Sequence, residues 1–83
     1  MTIGEIVRRE RQAKGLSMRA LAKKADVALA TIQNTEHDKH EPTSSTLRSI
    51  AEALDIKASD IMLEVVSDTV KQLDEKRGGV SYG

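Results

Sequence analysis

The sequence has no cysteine, phenylalanine or tryptophan, and its one aromatic residue is Tyr82 near the C-terminus. Without cysteine the chain has no disulfide, no thiol nucleophile and no cysteine-ligated zinc. Proteins that bind single-stranded nucleic acid usually stack the bases on aromatic side chains. The folded part of this chain lacks such side chains, so we expect that any nucleic-acid partner is a duplex.

A long apolar run is also missing, as is any excess of charge. The 83 residues are 39% hydrophobic and 31% charged, and the first residues, MTIGEIVRRERQ, lack the apolar core of a signal peptide. We therefore expect one cytoplasmic domain with no membrane partner. Residues 1–48 hold nine bases and six acids, and residues 49–83 hold four and seven. Zero net charge argues against a nucleic-acid partner, but this division is compatible with a binding half and an associating half.

Apolar spacing and helix-breaking residues predict five helices. Thr2 and Glu5 form a capping box before the first helix, which Gly15 ends. Ser17 is placed to cap the second helix, and Asp26 ends it. The third helix is predicted over about residues 28–37, the fourth over TSSTLRSIAEAL at 43–54 and the fifth from about 58 to 77, before Gly78-Gly79.

The second and third helices are joined by a very short turn within AKKADVALA. This arrangement is typical of an αα-corner, in which the second helix projects from the body and can enter a major groove. Ala22 supplies the small residue that such packing requires. Leu21, Ala25, Val27 and Ile32 supply the apolar residues around the turn.

A set of residues along positions 3–63 carries a family resemblance. It consists of Arg11, KGLS at 14–17, Leu21-Ala22, Val27, Thr31-Ile32, Glu36, Lys39, Pro42, TL at 46–47, IAEAL at 50–54 and SDI at 59–61. In this order and spacing, the set resembles the DNA-binding domain of phage repressors and Cro proteins. The resemblance implies an all-α fold in a bacterial or phage-encoded protein. We expect a compact five-helix repressor-like helix-turn-helix domain at residues 2–63, with a C-terminal helical extension at 64–83.

Some residues depart from the family. Asp26, Asp38 and Asp55 stand where the family often has Gly, and Asp tolerates the left-handed backbone better than most residues. The other departures are Met18 in place of a phosphate-contacting Gln, Ala28 in place of a Ser or Thr cap, and Thr35 and Glu10 in place of apolar residues. These departures predict a somewhat weakened core.

The resemblance implies that the third helix contacts bases with its N-terminal and outward residues. These are Ala28, Leu29, Ala30, Thr31, Gln33 and Asn34. Gln and Asn make two hydrogen bonds to adenine, and Leu or Ala contacts the thymine methyl, so base contact needs no positive charge. The alternatives are that Gln33 and Asn34 are ordinary exposed polar residues and that Leu29 lies at the edge of the core.

Phosphate contacts would position the domain and supply much of its affinity. The predicted contacts are Ser17, Met18, Arg19, Lys23, Lys39, His40, Thr43, Ser44 and Arg48. The Met18 side chain cannot replace the family's Gln, which leaves the Ser17 hydroxyl and backbone amides at that helix start. The alternative for each Lys or Arg is a solvated charge. The resemblance also implies that Arg11 and Glu36 form a structural salt bridge between the first and third helices.

His37 and His40 lie near Asp38 and Glu41, but zinc needs three or four convergent ligands, so no metal site is predicted. The chain offers no paired carboxylates within a catalytic framework, no Cys–His pair and no phosphate-binding glycine loop. We therefore predict neither an enzyme nor a cofactor.

The fifth helix carries an apolar stripe that is too long for the small domain to cover. The predicted dimer-interface residues are Met62, Val65, Val66, Val70 and Leu73. A second copy would bury them. The alternative is that residues 61–66 complete the core and the rest frays.

The sequence thus predicts a sequence-specific transcriptional regulator, a repressor that binds double-stranded operator DNA as a homodimer. One alternative is the DNA-binding antitoxin of a toxin–antitoxin pair, with a toxin or other protein as partner. A second alternative is a protein-interaction module without DNA binding.

Overall fold

A computed structural model describes the backbone of residues 1–76 and the side chains of residues 1–67, and this part of the chain forms five α-helices. The helices are α1 (Ile3–Ala13), α2 (Met18–Ala25), α3 (Leu29–Glu36), α4 (Ser44–Ala53) and α5 (Ala58–Lys76). The all-α, five-helix prediction is confirmed. The predicted stop at Gly78-Gly79 lies outside the described residues. No helix within the described part is long and apolar enough to cross a membrane.

Side-chain caps set most of the helix starts. The Thr2 hydroxyl accepts a hydrogen bond from the Glu5 N–H at 3.1 Å, and the Glu5 carboxylate accepts one from the Thr2 N–H at 3.0 Å. This confirms the predicted capping box. Ser17 and Thr43 cap α2 and α4 by accepting from the backbone N–H three residues ahead. Ala28 precedes α3 and gives it no side-chain cap, so the first N–H groups of α3 have no side-chain acceptor from this residue.

Three aspartates that follow helices adopt the left-handed backbone conformation, as the sequence predicted. Asp26, Asp38 and Asp55 have φ values of 57°, 56° and 58°. Each therefore adopts the conformation in which Gly is preferred, at the modest cost that Asp incurs there. These three turns are therefore made without glycine.

Two apolar clusters hold the helices together. The larger contains Val7, Leu21, Ala22, Ala25, Ile32, Ile50, Ala53 and Leu54, and the smaller contains Ile6, Leu47, Ala51 and Ile61. α3 packs against α1 and α2, while α5 packs against α1 and α4. Ile32 anchors α3 in the larger cluster, so the opposite face of α3 is left outside the core.

Polar residues at core positions find partners inside the fold. Thr35 is buried, and its hydroxyl donates to the Thr31 carbonyl oxygen at 2.7 Å. Glu10 is half-buried, and its carboxylate accepts a hydrogen bond from Arg9 at 3.1 Å. Because an unpaired buried polar group is what costs most, these bonds reduce the penalty of replacing apolar residues.

Candidate nucleic-acid interface

The corner between α2 and α3 is built from three residues, 26–28. Asp26 turns the chain in the left-handed conformation, and the Val27 N–H donates to the Ala22 carbonyl oxygen at 3.0 Å. Ala22 is buried, while Val27 is half-buried against the larger cluster. The predicted αα-corner is therefore present, with the small residue and the apolar flanks where the sequence placed them.

The outward face of α3 presents most of the predicted base-contacting residues. Ala28, Ala30 and Gln33 are exposed, and Thr31 and Asn34 are half-buried. Leu29 is half-buried and packs partly against the larger cluster, which favours the alternative that it lies at the edge of the core. All six residues lie on or directly before one eight-residue helix. Their contact with bases stays a prediction.

The predicted phosphate-contacting residues lie on three elements: α2, the loop after α3, and α4. Ser17, Met18, Arg19 and Lys23 lie at the start of α2 and along it, Lys39 and His40 lie after α3, and Thr43, Ser44 and Arg48 lie at the start of α4 and along it. All are exposed except Met18, which is half-buried and packs its side chain against the larger cluster. Only the backbone of Met18 is therefore open to a phosphate.

The charged residues of this set are not engaged within the protein. Arg19, Lys23, Lys39 and Arg48 have no salt bridge to any residue whose side chain the structure describes. By contrast, Arg8, Arg9 and Arg11 on α1 all bind carboxylates. Within the described residues, no carboxylate therefore competes with an external partner for these four basic side chains.

Helix starts add hydrogen-bond donors to these charges. The Ser17 hydroxyl accepts from the Ala20 N–H at 3.0 Å, which leaves its own proton free to donate. The Thr43 hydroxyl already donates to the Thr46 hydroxyl at 3.0 Å. Its neighbour Ser44, in the first turn of α4, is exposed. The first N–H groups of α2 and α4 and their helix dipoles favour an anion at both ends.

The predicted salt bridge between Arg11 and Glu36 is confirmed. Arg11 donates to both carboxylate oxygens of Glu36, at 2.7 and 2.9 Å, and to the Leu16 carbonyl oxygen at 2.8 Å. The Glu36 side chain is fully buried. The hydrogen bond with Glu36 raises the pKa of Arg11 above its ordinary value. The pair joins α1 to the C-terminal end of α3 and so fixes the outward helix on the body.

Sequence reasoning missed a second cation at this carboxylate. Arg8 lies 3.6 Å from Glu36 Oε1, and its Nη2 donates to the Glu36 carbonyl oxygen at 3.3 Å. The available signal was its position one turn before Arg11, which places both guanidinium groups on one face of α1.

A further missed contact joins the loop after α3 to the start of α1. The Asp38 carboxylate accepts hydrogen bonds from the Thr2 hydroxyl at 2.9 Å and the Gly4 N–H at 3.3 Å. Nothing in the local sequence signals this contact, because it joins residues more than thirty positions apart.

The exposed side of α5 is apolar where its side chains are described. Met62 and Val66 are exposed, as predicted for an interface, and Val65 is half-buried against the smaller cluster. Leu63 is the most exposed large apolar residue, at 63%, and was missed although its i, i+3 spacing to Val66 places the two on one face. The remaining predicted interface residues, Val70 and Leu73, lie outside the described side chains.

An ion pair holds the first turns of α5 on α1. Arg9 donates to both carboxylate oxygens of Glu64, at 2.9 and 3.0 Å. These hydrogen bonds lower the pKa of Glu64 and raise that of Arg9. The predicted domain division after residue 63 falls within α5, so it stays a prediction about the role of the extension.

The His and acidic residues after α3 do not assemble a metal site. Among the residues that the structure describes, no three His, Cys, Asp or Glu side chains lie close enough to hold an ion. The Asp38 carboxylate is turned instead toward the start of α1.

Comparison with known proteins identifies the family. The family model described as "Helix-turn-helix" matches residues 7–61, so the chain belongs to the helix-turn-helix family. It is also similar to the immunity repressor protein of Bacillus phage phi105, with 34% identity over 64 residues and 77% of this chain. The match covers 44% of that repressor, so this chain spans less than half of its relative's length.

Solved structures share the fold. The clp gene regulator ClgR of Corynebacterium glutamicum superposes with a TM-score of 0.75 at 26% identity, covering 89% of this chain and 79% of its own. SinR, a master regulator for biofilm formation solved in complex with DNA, superposes with a TM-score of 0.70 at 27% identity, and the match covers 74% of this chain and 98% of the SinR chain. A chain of the complex of the SinR and SinI proteins superposes with a TM-score of 0.72 at 26% identity, and the match covers 98% of this chain and 84% of that chain. The predicted repressor-like helix-turn-helix fold is confirmed.

Proposed function

We propose that this protein is a sequence-specific, duplex-DNA-binding transcriptional regulator that acts as a repressor and inserts α3 into the major groove. The observation that carries the proposal is the exposed face of α3, together with four basic side chains on α2, on α4 and in the loop after α3 that form no salt bridge within the described residues. Membership of the helix-turn-helix family and similarity to a phage immunity repressor support it.

In this proposal base recognition rests on amides and methyl groups, since α3 contains neither Lys nor Arg. Gln33 is exposed and Asn34 half-buried on the same helix. Either amide is suited to a two-bond contact with adenine N6 and N7. Ala28 and Ala30 are short enough to bring the helix close to the base edges and to contact a thymine methyl.

Affinity then comes mainly from the phosphates around α3. Arg19 and Lys23 on α2, Lys39 after α3 and Arg48 on α4 supply the positive charge, and the starts of α2 and α4 supply backbone donors. Each neutralised phosphate releases bound counterions, so the affinity should fall steeply as salt rises. This division of labour explains how a chain of zero net charge binds a polyanion.

We further propose that a second copy covers the apolar side of α5. Met62, Leu63 and Val66 are exposed on this helix, and a single domain of this size gains much from burying them. A two-fold interface would place two α3 helices on half-sites about one helical turn apart, so the operator would be a palindrome.

A protein partner on α5 is the second candidate. Its support is the same exposed apolar residues, together with the similarity to SinR in its complex with SinI. A DNA-binding antitoxin would use the face in this way, with a toxin bound at stoichiometric amounts.

Selection from a random duplex pool, followed by a salt series of gel-shift titrations, tests the DNA-binding proposal. We expect an enriched palindromic sequence and an affinity that decreases linearly on logarithmic axes as salt increases. Failure to retain any duplex at low salt would overturn the proposal and leave the protein-interaction module as the remaining candidate.

A further inference from the structure

The loop between α3 and α4 carries two of the predicted phosphate contacts, Lys39 and His40, and has no regular structure. Its backbone is tied to α3 by the Lys39 N–H, which donates to the Asn34 carbonyl oxygen at 2.9 Å. Of the side chains at positions 37–42, only that of Asp38 is hydrogen-bonded to another helix within the described part of the chain.

Three aspartates share the left-handed conformation, but only one of them uses its carboxylate. Asp26, Asp38 and Asp55 have φ values within 2° of one another. Within the described residues, the side chains of Asp26 and Asp55 make no hydrogen bond, whereas that of Asp38 accepts one from Thr2 and one from Gly4. The left-handed backbone alone therefore does not explain why an aspartate stands at position 38, since its carboxylate also binds the start of α1.

The start of α1 can approach the loop this closely only because residue 4 is a glycine. A Cβ at Gly4 would collide with the Thr35 carbonyl oxygen and lie 2.7 Å from Asp38 Oδ1 and 2.9 Å from the Glu36 carbonyl oxygen. The start of α1 is thereby pressed against the end of α3. A carboxylate is also the favoured group there, because the first N–H groups of a helix and its dipole attract an anion.

We propose that Asp38 is a positioning residue for DNA binding. By binding the start of α1, its carboxylate fixes the backbone from which Lys39 and His40 reach the phosphates. A Gly at this position would adopt the same φ but would remove the side-chain contact between the loop and α1. Fixing the loop before binding removes part of the ordering cost from the association. This inference rests on the proposed function.

The test compares Asp38→Gly with Asp55→Gly, which makes the same backbone change at a residue whose carboxylate is unused. Affinity is measured for the duplex that the wild-type protein selects, and folding is verified from thermal unfolding of each variant. We expect Asp38→Gly to weaken binding about 3- to 10-fold and Asp55→Gly to leave it unchanged. Asp38→Asn, which keeps an acceptor oxygen and tolerates φ > 0, should recover part of the loss.

A double-mutant cycle with Lys39→Ala separates positioning from general destabilisation. If Asp38 acts through the loop, Lys39→Ala weakens binding less in the Asp38→Gly background than in the wild type. Equal effects in both backgrounds would overturn the inference, as would wild-type affinity for Asp38→Gly.

A second pair covers the case in which Asp38→Gly does not fold. Thr2→Ser keeps the hydroxyl that caps α1 and donates to Asp38. Thr2→Asp keeps an acceptor for the cap but removes the donor to Asp38. We expect weaker DNA binding only for Thr2→Asp, and equal affinities would contradict the inference. If the wild-type protein selects no duplex, the proposed function itself fails and this inference falls with it. If the wild type binds and the Asp38 and Thr2 variants bind equally well, only the positioning role is rejected.

Discussion

Glu36 places a carboxylate in the interior of a domain with little stability to spare. Its side chain is fully buried, and the Arg11 guanidinium, 12% exposed, forms two hydrogen bonds to it. Removing one member of a buried pair leaves the other charge without compensation, which costs far more than the pair contributes. The bridge therefore acts as a constraint on where α3 sits relative to α1.

Arg11→Ala should lower the free energy of unfolding by about 3 kcal/mol, because it strands the buried Glu36 carboxylate. Arg8→Ala is the matched control. The Arg8 side chain is 44% exposed and lies 3.6 Å from the same carboxylate, so its loss should cost less than about 1 kcal/mol. Urea denaturation measures the free energy of unfolding of both variants. Equal losses would show that the buried Arg11–Glu36 pair stabilises the fold no more than the exposed Arg8 does.

Gly4→Ala should destabilise the protein although alanine normally favours a helix by about 0.5–1 kcal/mol over glycine. The added methyl group collides with the carbonyl oxygen of Thr35, a backbone atom that cannot rotate away. We expect a net loss of about 1–3 kcal/mol, as for overpacking. Chemical denaturation checks the sign, and a more stable variant would mean that α1 can move away from α3 at no cost.

At the residue scale, the family resemblance predicted the contact between residues that match the family. It missed contacts that depend on how closely the helices pack. Arg11–Glu36 was expected from the resemblance. Arg8 and Asp38 were not, since their partners are fixed only once α1 lies against the end of α3. Leu29 shows the same limit, because helical spacing does not reveal how far a residue at the edge of the core is covered.

At the element scale, helix starts and stops were the most predictable features. Thr2 and Ser17 cap helices as predicted, because a side-chain oxygen is available where N–H groups lack partners. Thr43 was expected inside the fourth helix and instead caps it. The left-handed aspartates follow from the same local chemistry. The angle at which α5 leaves the domain was not predictable, since it depends on the Arg9–Glu64 pair and on Ile61 inserted into the smaller cluster.

Acid should loosen the starts of α1 and α5. The Thr2 backbone N–H lowers the pKa of Glu5, and hydrogen bonds from Arg9 lower that of Glu64, in both cases from an ordinary value of 4.5. A carboxylate with a lowered pKa contributes stability above its unfolded-state pKa and loses that contribution as the pH falls through its folded-state pKa. The unfolding temperature should therefore decline as the pH falls below 4.5.

Glu64→Gln should make that decline shallower, because it removes one of the two groups with a lowered pKa. Glu52→Gln is the control, since Glu52 is exposed on α4 and has no salt bridge within the described residues. Thermal unfolding from about pH 6 to about pH 3 gives the comparison. Identical pH profiles for Glu64→Gln and the wild type would show that the Arg9–Glu64 pair is not formed in solution.

At the scale of the whole molecule, a helix with an exposed apolar side is attached to a domain in which four basic side chains, those of Arg19, Lys23, Lys39 and Arg48, form no salt bridge within the described residues. Leu63→Glu places a charge in the proposed interface and should convert a dimer to a monomer, as measured by sedimentation. Gln12→Glu adds the same charge to an exposed position of α1 and should leave the dimer intact. A wild-type protein that is already monomeric at high concentration would remove the second copy from the proposal.

The order of the five helices and the α2–α3 corner could be predicted from the sequence, because the spacing of apolar residues and the turn residues determine them locally. The α3 sequence ATIQNTEH was harder to interpret, since it lacks the positive charge expected of a helix beside DNA. Under the proposed function, the positive charge comes instead from cations on α2, α4 and the loop after α3, which have no salt bridge within the described residues. Net charge did not reveal that arrangement, because Arg8, Arg9 and Arg11 are paired with acids elsewhere.

The central claim is that α3 selects the DNA sequence while its neighbours hold the phosphates, and comparing Gln33→Ala with Arg48→Ala on selected and random duplexes tests it most directly. Gln33→Ala should lose about 1–3 kcal/mol of binding to the selected duplex and bind random duplex as before. Arg48→Ala should weaken binding to both duplexes equally and reduce the salt slope by about one. If the two variants lose the same affinity on both duplexes, α3 is not the helix that reads the sequence.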